Sequence, residues 1–391
     1  MTLPISSPVS GPTRRGGGLS GVDSADADLV VPIGGVGLER LSWRHIVLPW
    51  VVSRLVAIAA LTGVDSVARG RLDLSALADW DSGWYLAIAQ HGYGHGPVPA
   101  HWVPNNWSRW PFFPLLPAVT RMAMSVGVPA MVAIVSINNV AFLVALAGVY
   151  RLASRHMGGD VGVWAVWALA LFPGSITSVM GYPGGMFVAG SVWAFALVDD
   201  ERFVLAGVAL LVAVASRPNG IIVAVALLPA IVAVARRTGP WLGAVAKVNF
   251  MAAGFLVGWS IWLYRTTGDP LVFLHAKSAW LEKSVIDFVR QPNGSGIVHL
   301  FLAAIAVMVL IWQRDRLPLS WKVLAVVSLT PSLTLGLVGI GRYAAECFPV
   351  AAASGMIMTQ SRRQMRGLYL ALSIVGLVTM GVLVRNGRLT P

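Results

Sequence analysis

Residues 203–237 read "FVLAGVALLVAVASRPNGIIVAVALLPAIVAVARR". Two apolar runs, 203–216 and 220–235, flank a Ser-Arg-Pro-Asn-Gly break, and a pair of arginines closes the second. A helix climbs about 1.5 Å per residue and a bilayer core is about 30 Å thick, so apolar runs approaching 20 residues read as membrane spans. Pro-Asn-Gly is turn chemistry, so the chain doubles back there. Working outward, such runs recur from residue 45 to the end. They predict eleven spans, at 45–64, 128–150, 161–179, 184–198, 203–216, 220–235, 245–264, 296–312, 318–338, 344–360 and 367–384. The expected fold class is therefore all-α: a polytopic integral membrane protein seated in the lipid bilayer.

Composition agrees. Of 391 residues, 56% are hydrophobic and 12% charged, about half the roughly 25% charged content of soluble domains. The net charge of +12 is explained by basic loops between spans, with no nucleic-acid partner. The single cysteine, Cys347, excludes an intramolecular disulfide and a cysteine metal cluster. Residues 1–42 are rich in Gly, Ser, Pro and Asp and lack the apolar core of a signal peptide. They read as a disordered cytoplasmic tail ahead of a membrane domain at 43–391.

Charge sets the expected orientation. With the N-terminus inside, every short inner loop is basic, including those with Arg151 and Arg155, Arg236 and Arg237, and Arg362, Arg363 and Arg366. Two long segments, 65–127 and 265–295, then lie outside. In the first, Trp80, Trp84, Ala87 and Ile88 fall at helical spacing, so a surface helix is expected, with Asp81 and Tyr85 one turn apart on a neighbouring face. In the second, Asp269 stands where it can cap a helix that begins at Pro270.

The polar residues that could carry chemistry lie in these outer segments. Moving a sugar from a lipid phosphate needs a general base, cations for the departing phosphate, a sugar-gripping surface and a groove for the lipid. Asp79 and Asp81 are the candidate bases; both could equally be solvated loop acids. Arg217, in "SRPNG", and Arg342, in "GIGRYAAECFP", are the candidate phosphate ligands. Each could instead simply end a helix, with Tyr343 and Glu346 as structural partners of Arg342. Arg54, inside the first span, needs a partner there and reads as structural. His91, His95 and His101 invite a metal reading, but Gly92, Gly94 and Gly96 oppose a helix that would align them. No metal or other cofactor is expected. Trp102, Trp107, Trp110, Phe112 and Phe113 read as an interfacial belt or a lipid-tail groove. There is no Walker loop, dinucleotide fingerprint or nucleophile elbow.

"WDSGWYLAIAQHGYG" (80–94) followed by "FFPLLP" (112–117) resembles the first luminal loop of the PIG-V family of mannosyltransferases. The resemblance continues in order through "SRPNG" (216–220), "GDPLVFLHAKSAW" (268–280) and "GRYAAECFP" (341–349). It implies a GT-C-type enzyme, inverting, that uses a polyprenyl-phosphate-mannose donor on the outer face of the cell membrane. The implied acceptor is a membrane glycolipid such as a phosphatidylinositol mannoside or lipoglycan. The family's Trp-Asp falls on Trp80 and Asp81, which makes Asp81 the implied base, with Asp79 beside it. Arg217, Arg342 and Lys277 would hold the donor phosphate. Trp84, Tyr85, His91, Asn219 and Tyr343 would line the sugar and acceptor sites. The family's Tyr-x-Glu after the third span reads "GYPGG" at 181–185 here, without an acid. A lipid-linked sugar transporter or a non-catalytic envelope scaffold are the rival readings.

Overall fold

The structure, a computed structural model, describes residues 43–63, 74–94, 98, 99, 107–280, 288, 292–335 and 339–391. The expected tail at 1–42 and the residues His95, His101 and Trp102 lie outside them.

The described residues form helices α1 (Arg44–Thr62), α2 (Asp81–His91), α3 (Leu115–Ser125), α4 (Ala130–Met157), α5 (Gly159–Leu171), α6 (Gly184–Asp199), α7 (Phe203–Ser216), α8 (Ile221–Thr238), α9 (Trp241–Thr267), α10 (Val272–His275), α11 (Gly294–Trp312), α12 (Leu319–Leu335), α13 (Ile340–Glu346), α14 (Phe348–Gln360) and α15 (Arg363–Arg385). Six of the helical stretches are long and apolar enough to cross a membrane: α1, α4, Pro218–Arg237, α9, α11 and α15. The protein is an all-α polytopic membrane protein.

Two predicted spans are broken. The segment 161–179 is helical only to Leu171, because Phe172 precedes Pro173 and takes an extended conformation (φ −57°, ψ 131°). A buried 3₁₀ turn, Pro173–Ser178, follows. The segment 344–360 is interrupted at Cys347, between α13 and α14.

Helix α6 is apolar and buried on nearly every side, so it forms the centre of the bundle. Gly190 lets α7 approach it closely: a Cβ there would stand 2.5 Å from the Ala213 nitrogen. On the periphery, Phe250 is 77% exposed and Trp312 70%, as expected for side chains solvated by lipid rather than water.

Non-helical backbone at this depth must find partners within the protein. Asn138, fully buried on α4, supplies them for the turn after α5. Its amide donates to the carbonyls of Thr177, Ser178 and Met180 at 3.2, 3.1 and 2.7 Å, and its oxygen accepts from the Gly185 N–H at 2.7 Å. Asn139 adds a bond to the Val179 carbonyl at 3.0 Å. The Gly181 N–H reaches Leu77 O at 2.9 Å, docking the first long segment on this turn.

Candidate active site

Asp81 opens α2 after a sharp backbone turn. Trp80 has φ 58°, a value uncommon for a bulky residue. Such strain costs on the order of 1–3 kcal/mol and survives only where the surroundings impose it. Here the Asp81 N–H donates to the Tyr182 hydroxyl at 3.1 Å. The carboxylate thus stands at a helix N-terminus, where the helix dipole favours negative charge.

Helix α13 brings Arg342 to this carboxylate, with Nη1 donating to Asp81 Oδ2 at 3.0 Å. The guanidinium also lies over the rings of Tyr182 and Tyr343, at 5.3 and 5.4 Å. A second pair lies beside the first. Arg217, at the end of α7, donates through Nη1 to Glu346 Oε2 and lies 6.0 Å over the Phe187 ring. Both members of this pair are buried, at 7% and 8% side-chain exposure.

Tyr85, one turn along α2, links the two pairs. Burial pushes its hydroxyl well above the ordinary tyrosine value, so it stays a neutral donor; Arg217, Asp81, Arg342 and Tyr343 all act on it electrostatically. Tyr343 behaves differently. Burial again raises its pKa, but Lys277, Arg342 and Arg217 together outweigh burial and hold it below its usual value. Three cations acting on one buried phenol make the local potential positive, the condition for receiving an anion.

The fold therefore gathers Asp81, Tyr85, Arg217, Lys277, Arg342 and Tyr343 from four separate sequence segments. Lys277 stands exposed in the 3₁₀ turn Ala276–Trp280. Other candidates stand apart. Asp79 is exposed, in extended backbone before the Trp80 turn. His91 is exposed at the far end of α2, about 15 Å along the helix axis from Asp81. Trp84 stacks on Phe112 at 5.9 Å, pinning α2 to the segment before α3. Asn219 is half-buried in the turn Pro218–Gly220.

Several local expectations need correction. Glu346 pairs with Arg217, not with its neighbour Arg342, whose Nη1 is given to Asp81 instead. The buried face of α2 is Ser82, Tyr85, Ile88 and Ala89; Trp80 lies outside the helix and is 39% exposed. Trp110, Phe112 and Phe113 are core rather than an interfacial belt, while Trp107 is exposed. Tyr93 and Phe113 pack on Trp259 of α9 at 5.3 and 6.1 Å, locking the first long segment against that helix. Asp269 caps a turn, accepting from the Leu271 N–H at 2.9 Å, and the short helix begins only at Val272. Arg54 finds Ser178 Oγ at 2.5 Å and the Phe142 ring at 4.6 Å.

Sequence reasoning missed Tyr182, Asn138 and the position of Glu346. The one signal for Asn138 is a pair of asparagines inside an apolar run. Position 184, in the "GYPGG" that lacks an acid, is glycine; a Cβ there would stand 2.5 Å from Glu346 Oε1 and 3.5 Å from Arg217 Nη2. Glu346 thus brings a carboxylate to that space from a different helix. Among the described residues, no three His, Cys, Asp or Glu side chains gather as a metal site.

By sequence, no protein-family model and no curated protein matches the chain. By fold, it is similar to ArnT from Cupriavidus metallidurans, solved bound to undecaprenyl phosphate, with a TM-score of 0.57 at 16% identity over 85% of this chain and 64% of that one. It is also similar to the oligosaccharyltransferase of Archaeoglobus fulgidus, solved in complex with Zn and sulfate, with a TM-score of 0.50 at 14% identity over 87% of this chain and 52% of that one. The chain thus spans just under two thirds of the first protein and about half of the second. At such identities the likeness is one of fold alone, an all-helical membrane fold shared with these two proteins.

Proposed function

We propose that the protein is an inverting glycosyltransferase that moves mannose from a polyprenyl-phosphate-mannose donor to a membrane glycolipid resembling a phosphatidylinositol mannoside. The observation that carries this reading is the pairing of Asp81 with Arg342 beside Arg217 and Glu346, around Tyr85, on a GT-C-like fold. The order of the four motifs supports the PIG-V-like choice of sugar and acceptor.

The chemistry follows from the charges. Arg342 occupies Asp81 Oδ2, which leaves Oδ1 for an acceptor hydroxyl. The hydroxyl oxygen bonds to the anomeric carbon while its proton passes to Asp81, and the bond from that carbon to the phosphate oxygen breaks, leaving its electron pair on the phosphate. Attack opposite the leaving group inverts the configuration. Among the described residues of the cluster, three cations face two carboxylates, leaving one positive charge. That balances a sugar phosphodiester of charge about −1. The product monoester approaches −2. Protonation of Asp81 removes one negative charge from the protein at the same moment and frees Arg342 for the phosphate. Proton removal and leaving-group stabilisation are thereby one event.

The test is transfer of labelled mannose by the purified protein reconstituted with polyprenyl-phosphate mannose and a phosphatidylinositol mannoside. No transfer, with the fold intact, overturns the reading. The basic short loops support an active face outside the cell membrane, with the N-terminus cytoplasmic. In a Cys347→Ala background, His91→Cys should react with an impermeant thiol reagent in intact cells; labelling only after permeabilisation would reverse the orientation.

A further inference from the structure

Another cation, Arg385, sits away from this cluster, on the seam between α1 and α15. Gly63 ends α1 at φ 80°, and a Cβ there would collide with the guanidinium of Arg385. The absent side chain therefore makes the seat on which Arg385 rests. Beside this seat lies a groove of about 380 Å³ whose walls are Val56, Ala59, Ala60, Val378 and Val382. Gly381 brings the two helices together behind it: a Cβ there would lie 2.5 Å from Ala60 Cβ. From Val56 to Gly63 the groove runs about 10 Å along the helix axis.

The surroundings define what fits. Leu55, Val375 and Val382 are 65%, 60% and 42% exposed, so the groove opens onto lipid rather than water. Arg385 is exposed and has no hydrogen-bond or ion-pair partner among the described residues. A cation in the last turn of α15 complements the helix dipole. That accounts for its charge, but not for its seat on Gly63 at the mouth of an apolar groove.

We propose that this seam binds one anionic phospholipid of the surrounding leaflet, with an acyl chain in the groove and the phosphate on Arg385. The apolar walls give an acyl chain a place that a free anion could not use, and the guanidinium selects for negative charge through forked hydrogen bonds. The site is independent of the glycosyl-transfer reading.

The full-length protein, in nanodiscs of phosphatidylcholine containing a minority of phosphatidylglycerol, is released into detergent and its retained lipid is read by native mass spectrometry. Wild type should retain one phosphatidylglycerol in preference to phosphatidylcholine. Arg385→Gln, a surface change, should reduce that retention about tenfold, the scale of a lost charge-assisted contact. Ala59→Phe, which fills the groove and leaves the guanidinium, should reduce it comparably. Equal retention of the two lipids by wild type overturns the proposal, as does wild-type retention by Arg385→Gln. Undiminished binding in Ala59→Phe, together with displacement by free glycerol phosphate, also overturns it and assigns a headgroup-only anion site.

Discussion

The two ends of the helix bundle treat charge differently. At one end, Arg151 and Arg155 meet Asp200, and His156 meets Asp199 at 2.6 Å. These contacts join the C-terminal turns of α4 and α6; Arg155 and His156 keep 43% and 31% of their side chains exposed, while the carboxylates they meet, Asp200 and Asp199, are 11% and 16% exposed. Nearby, Arg366 donates to the carbonyls of Met358, Thr359 and Ser361 near the end of α14, as helix-terminal cations do. At the other end, Arg217 and Glu346 are buried 129 positions apart, and Arg342 meets Asp81 across 261. Glu346 Oε1 and Arg342 Nε are buried there without a hydrogen-bond partner in the described structure.

The energetics differ accordingly. Exposed ion pairs contribute about 0–1 kcal/mol. Buried ones gain little on balance, because desolvation offsets attraction, yet removing one partner costs about 3–5 kcal/mol by stranding the other charge. At the first end the cations still reach water, so the contacts are ordinary helix fastening. The buried end is a costly arrangement with hydrogen-bonding capacity left over, as befits a place prepared for a ligand.

The largest effect that separates the ends concerns the proposed base. Asp81→Asn preserves shape but removes proton affinity, so mannosyl transfer should fall by about 10²-fold or more. Asp79→Asn, outside the cluster, should lose only a few-fold, roughly within the noise of surface substitutions. A larger loss at Asp79 would move the base there.

Next come the proposed phosphate ligands. Arg217→Ala or Arg342→Ala should raise the KM for the lipid donor about tenfold or more, since each removes a charge-assisted contact. Because a single phosphate leaves and fixed guanidiniums can match its charge, transfer should persist in excess EDTA. Activity lost to EDTA and restored by Mg²⁺ would instead make Asp79 and Asp81 metal ligands.

Stability should separate the ends without any assay of activity. Glu346→Gln strands the buried Arg217 and should cost about 3 kcal/mol in denaturant unfolding. Asp200→Asn should cost less, about 1–2 kcal/mol, because the arginines it releases are 21% and 43% exposed and can turn to water. Equal losses would erase the distinction drawn here. The smallest effect expected is that of Arg155→Ala, within about 0.5 kcal/mol of wild type.

Much of the fold was legible in the chain, because hydrophobic run length reports directly on crossing a bilayer. Each of the eleven predicted spans contains a helix. The misreadings fall where proline chemistry cuts a run that stays apolar: Pro173 splits 161–179 into a helix and a buried turn. Hydropathy cannot see that break, since both parts are equally greasy. Asp81, Arg217 and Arg342 stand out in sequence because polar groups are rare in such a chain.

Their partners are another matter. In a membrane protein, lipid-facing and core-facing side chains are both apolar, so periodicity does not reveal which helices touch. Nothing in "GYPGG" announces that Tyr182 will receive the Asp81 N–H, or that the missing side chain at 184 will make room for Glu346. By itself, then, the sequence determined the helices, the breaks rich in glycine and proline, and the few charged residues that could do chemistry, all properties set by local solvation and backbone sterics. Only the tertiary structure decided which carboxylate each arginine holds. Such pairing depends on contacts between residues hundreds of positions apart, where direction and distance, not residue type, set the energy.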